Sequence, residues 1–151
     1  MLIGNRLGIH DFGDVTPIPQ DDGLNPVVPI AYPQEYVALM DLLRALIAAN
    51  ETTKRALDLT TAVIEHSASH YTAWHFRRRC LFAVGADLRA ELTFVEEVAG
   101  ENPKNYQIWY HRRAVALRMG GPGDELGYVG RVTAEDPKNY HAWSHRQWVV
   151  Q

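Results

Sequence analysis

The sequence predicts an all-α fold: a right-handed α–α superhelix of helical hairpins, preceded by an extended proline-rich arm. Three observations predict it. One phrase is written three times, as His70-Tyr71-Thr72-Ala73-Trp74-His75-Phe76-Arg77-Arg78, as Asn105-Tyr106-Gln107-Ile108-Trp109-Tyr110-His111-Arg112-Arg113 and as Asn139-Tyr140-His141-Ala142-Trp143-Ser144-His145-Arg146-Gln147. Its tryptophans recur after 35 and then 34 residues, a period typical of helical-hairpin repeats. A second pattern recurs in step upstream of the shared tyrosine. Leu57, Leu92 and Leu126 stand fourteen residues before it, Leu59, Phe94 and Tyr128 twelve before, and Val63, Val98 and Val132 eight before. Each unit therefore reads as helix, short turn, helix.

Residues 1–33 carry Pro17, Pro19, Pro26, Pro29 and Pro33, with Gly4, Gly8, Gly13 and Gly23 among them. Proline fixes φ and removes a backbone donor, so this stretch should be extended rather than helical. Val15, Ile18, Val27, Val28 and Ile30 imply that it lies against the first repeat or another chain. From Gln34 the spacing changes. Tyr36, Leu39, Met40, Leu43, Leu46 and Ile47 recur at three and four, which is one helix face. Pro33 suits the start of that helix. Asn50 reads as its break or as the cap of the next helix, with Glu51 in the first turn. Ser67-Ala68-Ser69, Asn102-Pro103 and Asp136-Pro137 mark the turns inside the hairpins, and Gly120-Gly121-Pro122-Gly123 ends the second hairpin. The organisation is thus an arm over 1–33 and an array over 34–151, with repeats at about 51–85, 86–120 and 121–151, the last cut short. No strand is required, and the plan is similar in kind to tetratricopeptide and other α-solenoid arrays.

Composition narrows the function. Fifteen basic and eighteen acidic residues give a net charge of −3, so no broad basic field favours nucleic acid. No stretch approaches the ~20 apolar residues of a membrane span, and the first residues lack the apolar core of a secretory signal. A single cysteine, Cys80, excludes an intrachain disulfide and fits a reducing, cytoplasmic compartment. Its neighbours Arg77, Arg78 and Arg79 could activate the thiol, but a small buried core residue is the reading favoured here.

Within the phrase, Trp74, Trp109 and Trp143 are expected to form the packing core of successive hairpins. Arg77, Arg112 and Arg146, each three residues on, are expected to stack on rings or pair with acids as part of the same structural code. The first turns differ from one another. Lys104, Tyr106, Gln107 and His141 are placed there, with Tyr71 equivalent to Tyr106, and together with Lys138 they form a rim suited to a phosphate or diphosphate. His111 and His145 occupy equivalent repeat positions rather than one helix face. Without a paired-cysteine or HExxH spacing, no intrinsic metal site is expected.

Pro103 to Arg113 and Lys138 to Val149 resemble the repeats of the protein prenyltransferase α subunit, and Asp14 to Val28 resembles the stretch leading into that array. The lead-in favours the α subunit shared by farnesyltransferase and type I geranylgeranyltransferase over that of the Rab enzyme. The resemblance runs from about residue 13 to the end. It implies a heterodimeric enzyme that transfers a farnesyl or geranylgeranyl group from its diphosphate to the cysteine of a C-terminal CaaX motif. The partner would be a β subunit wrapped by the α chain, with zinc, with or without magnesium, supplied through β and no cofactor bound by this chain. By position, Lys104 matches the lysine that stabilises the departing diphosphate, His141 a histidine near it, and Tyr106 lies beside it. Gln107 matches the glutamine that holds the peptide carboxylate, and Tyr71 a tyrosine near the CaaX side-chain pocket.

Three departures accompany the resemblance. His70 stands where the other phrases have Asn105 and Asn139, which bears on the turn geometry of the first repeat. Met1 to about Phe12 does not resemble the family. The chain stops at Gln151 inside the third second-helix, so a fragment or a truncated isoform is expected. The alternatives are a non-catalytic helical-repeat scaffold that binds protein, or an inactive truncated fragment.

Overall fold

The structure is a computed structural model describing residues 12–151; the part of the expected arm at positions 1–11 lies outside the described residues. Those described form seven helices and no strand: α1 (Gln34–Ala48), α2 (Lys54–His66), α3 (Tyr71–Val84), α4 (Leu88–Glu101), α5 (Tyr106–Arg118), α6 (Glu125–Glu135) and α7 (Tyr140–Val149). The helix–turn–helix order matches the expected all-α repeat.

Local chemistry sets the boundaries. Pro33 takes the cap position of α1, where a missing N–H is tolerated. Asn50 is the break after α1, with a left-handed φ of 52°. The cap of α2 is Thr53, in extended conformation, its hydroxyl oxygen accepting from the Ala56 N–H. The reading of Asn50 as a cap with Glu51 in the first turn is therefore corrected, because a left-handed residue cannot open a right-handed helix. Glu51 precedes the helix and accepts a hydrogen bond from Arg55 Nε at 2.6 Å. Gly85, at φ 63°, closes α3 as only glycine does without strain.

The chain forms two compact units, Met1–Gly85 and Ala86–Gln151. In the first, α2 packs along α3 and α1 packs on α2. Leu43 and Leu46 from α1, Leu59, Val63 and Ile64 from α2, and Trp74, Phe76 and Leu81 from α3 are fully buried between them. Cys80 is buried in the same core. Burial pushes its thiol up to about 11 against the opposing influence of Arg79 and Arg77, so the neighbouring arginines do not activate it.

Residues 15–33 contain no helix or strand. Val15 is half-buried and Tyr32 lies against Tyr36, but four of the apolar side chains expected to lie against something stand in solvent: Leu24 is 99% exposed, Val27 96%, Val28 79% and Ile30 67%.

In the second unit α4 packs with α5, α6 with α7, and α5 with α7. Trp109, Tyr128, Val129 and Ala142 form a buried cluster with Val132 against it. The packing role expected for all three tryptophans and arginines does not extend to the last repeat. Trp74, Trp109, Arg77 and Arg112 are buried, but Trp143 is 48% exposed and Arg146 is exposed. Trp143 and Arg146 lie on α7, and no helix among the described residues packs over them.

Candidate functional site

Each phrase opens on a turn built the same way three times. The N–H at its first position bonds the carbonyl three residues back: His70 to Ser67, Asn105 to Asn102 and Asn139 to Asp136, each at 3.1 Å. The same residue then caps the helix. His70 Nδ1 accepts from the Ala73 N–H at 3.1 Å, Asn105 Oδ1 from the Gln107 N–H at 3.0 Å, and Asn139 Oδ1 from the His141 and Ala142 N–H groups at 3.1 and 3.2 Å. Histidine thus replaces asparagine in the first repeat with the turn preserved. Burial, aided by the nearby Arg44, holds the His70 imidazole below its usual range, which suits a ring nitrogen that must accept.

The tryptophan ahead closes the same turn. Its indole N–H donates to the carbonyl six residues earlier, Trp74 to Ala68 at 2.8 Å, Trp109 to Pro103 at 3.5 Å and Trp143 to Pro137 at 2.8 Å. Even exposed Trp143 keeps this clasp. Sequence reasoning treated the tryptophans as core and overlooked their donor; a constant six-residue spacing back to the turn was the available signal.

On this frame Lys104 lies between Pro103 and the cap Asn105, two residues ahead of Tyr106 and so outside the first turn where it was expected. The displacement follows from Asn105 being the cap. Lys104 is exposed and makes no ion pair among the described residues. Tyr106 begins α5 and is exposed, whereas Gln107 is buried, its N–H held by the cap. His141 is half-buried in the first turn of α7, with the Tyr140 ring edge-on at 5.9 Å. Asn139, 1% exposed, joins the two helix starts: beyond capping α7, its Nδ2 donates to the Pro103 carbonyl at 2.9 Å. Lys104, Tyr106 and His141 therefore stand at adjacent helix N-termini. Tyr71 holds the corresponding position in the first unit, exposed at the start of α3.

The caps alter the expected chemistry. Several first-turn N–H groups are already taken by side chains, so an anion here would be met by the Lys104 ammonium and the neighbouring side chains, reinforced by the helix dipoles.

Buried polar pairs accompany the rim: sequence reasoning missed the two histidine–glutamate pairs, whereas Arg112 pairs with an acid and lies on a ring as expected. His111 Nε2 donates to Glu91 at 2.7 Å, and His145 Nε2 donates to Glu125 at 2.7 Å. Arg112 Nε also donates to Glu125, at 2.8 Å, and its guanidinium lies 3.5 Å from the Tyr128 ring centroid. Burial alone would raise the Glu125 carboxyl. The hydrogen bonds from His145 and Arg112 prevail and hold it below the usual carboxylate range. The signal was a glutamate twenty residues before each of these histidines. In the first unit Arg77 reaches the Leu57 carbonyl and the Thr60 and Thr61 hydroxyls, at 3.4, 3.1 and 2.8 Å. Among the described residues, no group of three or more His, Cys, Asp or Glu is placed to hold a metal ion, and no helix is long and apolar enough to cross a membrane.

Comparison with known proteins places this geometry. The pattern described as "Protein prenyltransferase alpha subunit repeat" matches residues 53–84, 88–119 and 122–151. The chain is similar to the protein farnesyltransferase/geranylgeranyltransferase type-1 subunit alpha of Solanum lycopersicum, 52% identical over 94 residues, covering 62% of this chain and 27% of that protein. It is 39% identical over 109 residues to the Schizosaccharomyces pombe protein of the same description, covering 72% of this chain and 37% of that one. Among solved structures, Candida albicans protein geranylgeranyltransferase-I complexed with GGPP superposes with a TM-score of 0.83 at 35% identity, covering 95% of this chain and 50% of the other. The chain thus spans from about a quarter to half the length of these relatives.

Proposed function

This chain belongs to the protein prenyltransferase alpha subunit repeat family, and from that membership we propose that it acts as the α subunit of a CaaX protein prenyltransferase. The observation that carries the reading is the identity to type-1 subunits together with the shared fold. The enzyme is cytoplasmic and active only with a β subunit. It transfers a farnesyl or geranylgeranyl group from its diphosphate to a C-terminal cysteine of substrate proteins. In this reading zinc, with or without magnesium, is supplied through β, and no step here runs through it.

As the carbon–oxygen bond of the isoprenoid breaks, negative charge grows on the departing diphosphate. An exposed, unpaired ammonium at Lys104, with Tyr106 and His141 held beside it through the Asn139 bridge, stabilises that charge more in the transition state than in the ground state. Gln107 meets the peptide's terminal carboxylate, and Tyr71 borders the CaaX side chains. In a complex with β, Lys104→Ala should slow transfer about 10²-fold while assembly is unchanged. A mutant complex that forms and turns over at the wild-type rate refutes the assignment.

A further inference from the structure

Residues of α4, of the end of α5 and of the start of α6 line an open cavity of about 530 Å³ in the second unit. That is the size of a small-ligand site, typically ~300–1,000 Å³. It lies at the C-terminal end of α5, whereas the rim lies at the N-terminal end, and none of Lys104, Tyr106, Gln107 and His141 lines it.

Its two helical walls carry the same charges in opposite order. Along α4, Arg89 is followed seven residues on by Glu96. Along α6, Asp124 at the cap position is followed seven residues on by Arg131. Seven residues are two turns, so each wall presents its two charges on one face about 10 Å apart. At one end the walls meet, Arg131 donating to Glu96 at 3.0 Å. At the other end they do not. Arg89 and Asp124 are exposed and opposite in sign, yet neither makes an ion pair among the described residues. Asp124 does not cap its helix either, although aspartate is a favoured cap. Its carboxylate lies against Gly127, where an added Cβ would stand 2.6 Å from Oδ1.

Tyr128 lies between these ends with only 4% of its surface exposed, and its hydroxyl bonds to no described residue. A buried phenol usually finds a partner. No fully enclosed side-chain polar atom among the described residues lacks one, so this hydroxyl opens to the cavity that its ring lines. Burial pushes its ionisation up, which keeps the proton in place for donation. The remaining charges are already matched, Glu125 with Arg112 and His145, and Glu96 with Arg131. Leu92, Ala116 and Met119 add an aliphatic wall.

Three arginines and three acids line the cavity, so a simple anion gains no net attraction there, whereas a ligand carrying both charges does. We propose that this cavity binds a small zwitterion with an aliphatic body, namely a short peptide with free ends. Its carboxylate sits on the Arg89 guanidinium and its ammonium on Asp124. A peptide carbonyl between them accepts from the Tyr128 hydroxyl, and the side chains cover Leu92, Ala116 and Met119. The inference stands on the second unit alone and holds whether or not the chain is an α subunit.

Titration calorimetry of the full chain with trileucine, whose ends are free, tests it. Trileucine should bind, and its N-acetylated and C-terminally amidated forms, each lacking one charge, should bind about 10-fold more weakly. Arg89→Ala should lose the same factor for trileucine and no longer distinguish the amide. Asp124→Ala should no longer distinguish the acetylated form. Tyr128→Phe should weaken binding about 5-fold with its melting midpoint unchanged, because the hydroxyl bonds nothing within the chain. Absence of trileucine binding, or equal binding of the three peptides, overturns the proposal. So does a coupling between Arg89→Ala and Asp124→Ala in the melting of the free chain, since the two walls would then satisfy each other without a ligand.

Discussion

The α2–α3 hairpin of the first unit and the α4–α7 helices of the second fill the same slots with opposite chemistry. At the slot opened by the first helix and closed two residues after the tryptophan, the first unit carries Ala56 and Phe76, both buried. The second unit places Glu91 with His111, and again Glu125 with His145. The arginine that follows tells the same story. Arg77 and Arg112 reach the equivalent carbonyls of Leu57 and Leu92 at the same 3.4 Å. Arg77 then adds threonine hydroxyls, whereas Arg112 adds the Glu125 carboxylate. The repeat conserves a geometry, not a chemistry. An apolar pair and a charged pair both satisfy it, but only the charged pair makes each member depend on the other.

That dependence can be broken in graded steps. The largest effect is expected at Glu125, which neutralises two buried donors at once. Glu125→Ala should cost about 3–5 kcal/mol, because it leaves Arg112 and His145 without their acceptor, and thermal melting would read it. If the melting point hardly moved, the buried pair would not be organising the second unit.

A smaller loss should follow from borrowing the first unit's residue. His111→Phe removes one donor from Glu91 and should cost about 1–3 kcal/mol. Adding Glu91→Ala should return part of that loss, because the slot then carries the apolar pair already tolerated at Ala56 and Phe76. A double mutant no more stable than the sum of the two singles would break the analogy between the units.

The pH response should separate the units further. His70 is held below its ordinary value of 6.5, so the folded state binds fewer protons than the unfolded state between the two values. Its stabilising share is complete above about 6.5 and is lost as pH falls below it, when the capping nitrogen becomes protonated. Glu125 is held below its ordinary 4.5, so its share survives to lower pH and is lost only as pH falls through the depressed value. Amide exchange in α3 should therefore rise as pH falls below about 6.5 while α6 and α7 stay protected. His70→Asn should abolish that early step with about 1 kcal/mol or less of net change. Least affected of all should be Arg146→Ala, within about 0.5 kcal/mol by denaturant titration, since exposed Arg146 has no role like that of Arg112.

The sequence by itself determined the number and order of the helices. Periodicity is a local property: Tyr-x-x-Trp spacing, apolar steps of three and four, and Asn-Pro or Asp-Pro turns act over a few residues at a time. The residues at the rim were legible as well, because they break an otherwise repeating pattern. The tertiary structure alone decided which equivalent residues are used equivalently. Trp74 and Trp143 read identically, yet one is buried and the other is open, because burial depends on what packs outside the helix. Lys104 and His141 are 37 positions apart, and the packing of α5 on α7 with the Asn139–Pro103 bond brings their helix starts together. That Glu125 is the acid Arg112 pairs with, and that His145 shares it, is likewise invisible to a local reading. The pairing joins residues of three different helices, and a long-range hydrogen bond exists only once the helices that carry its ends have packed.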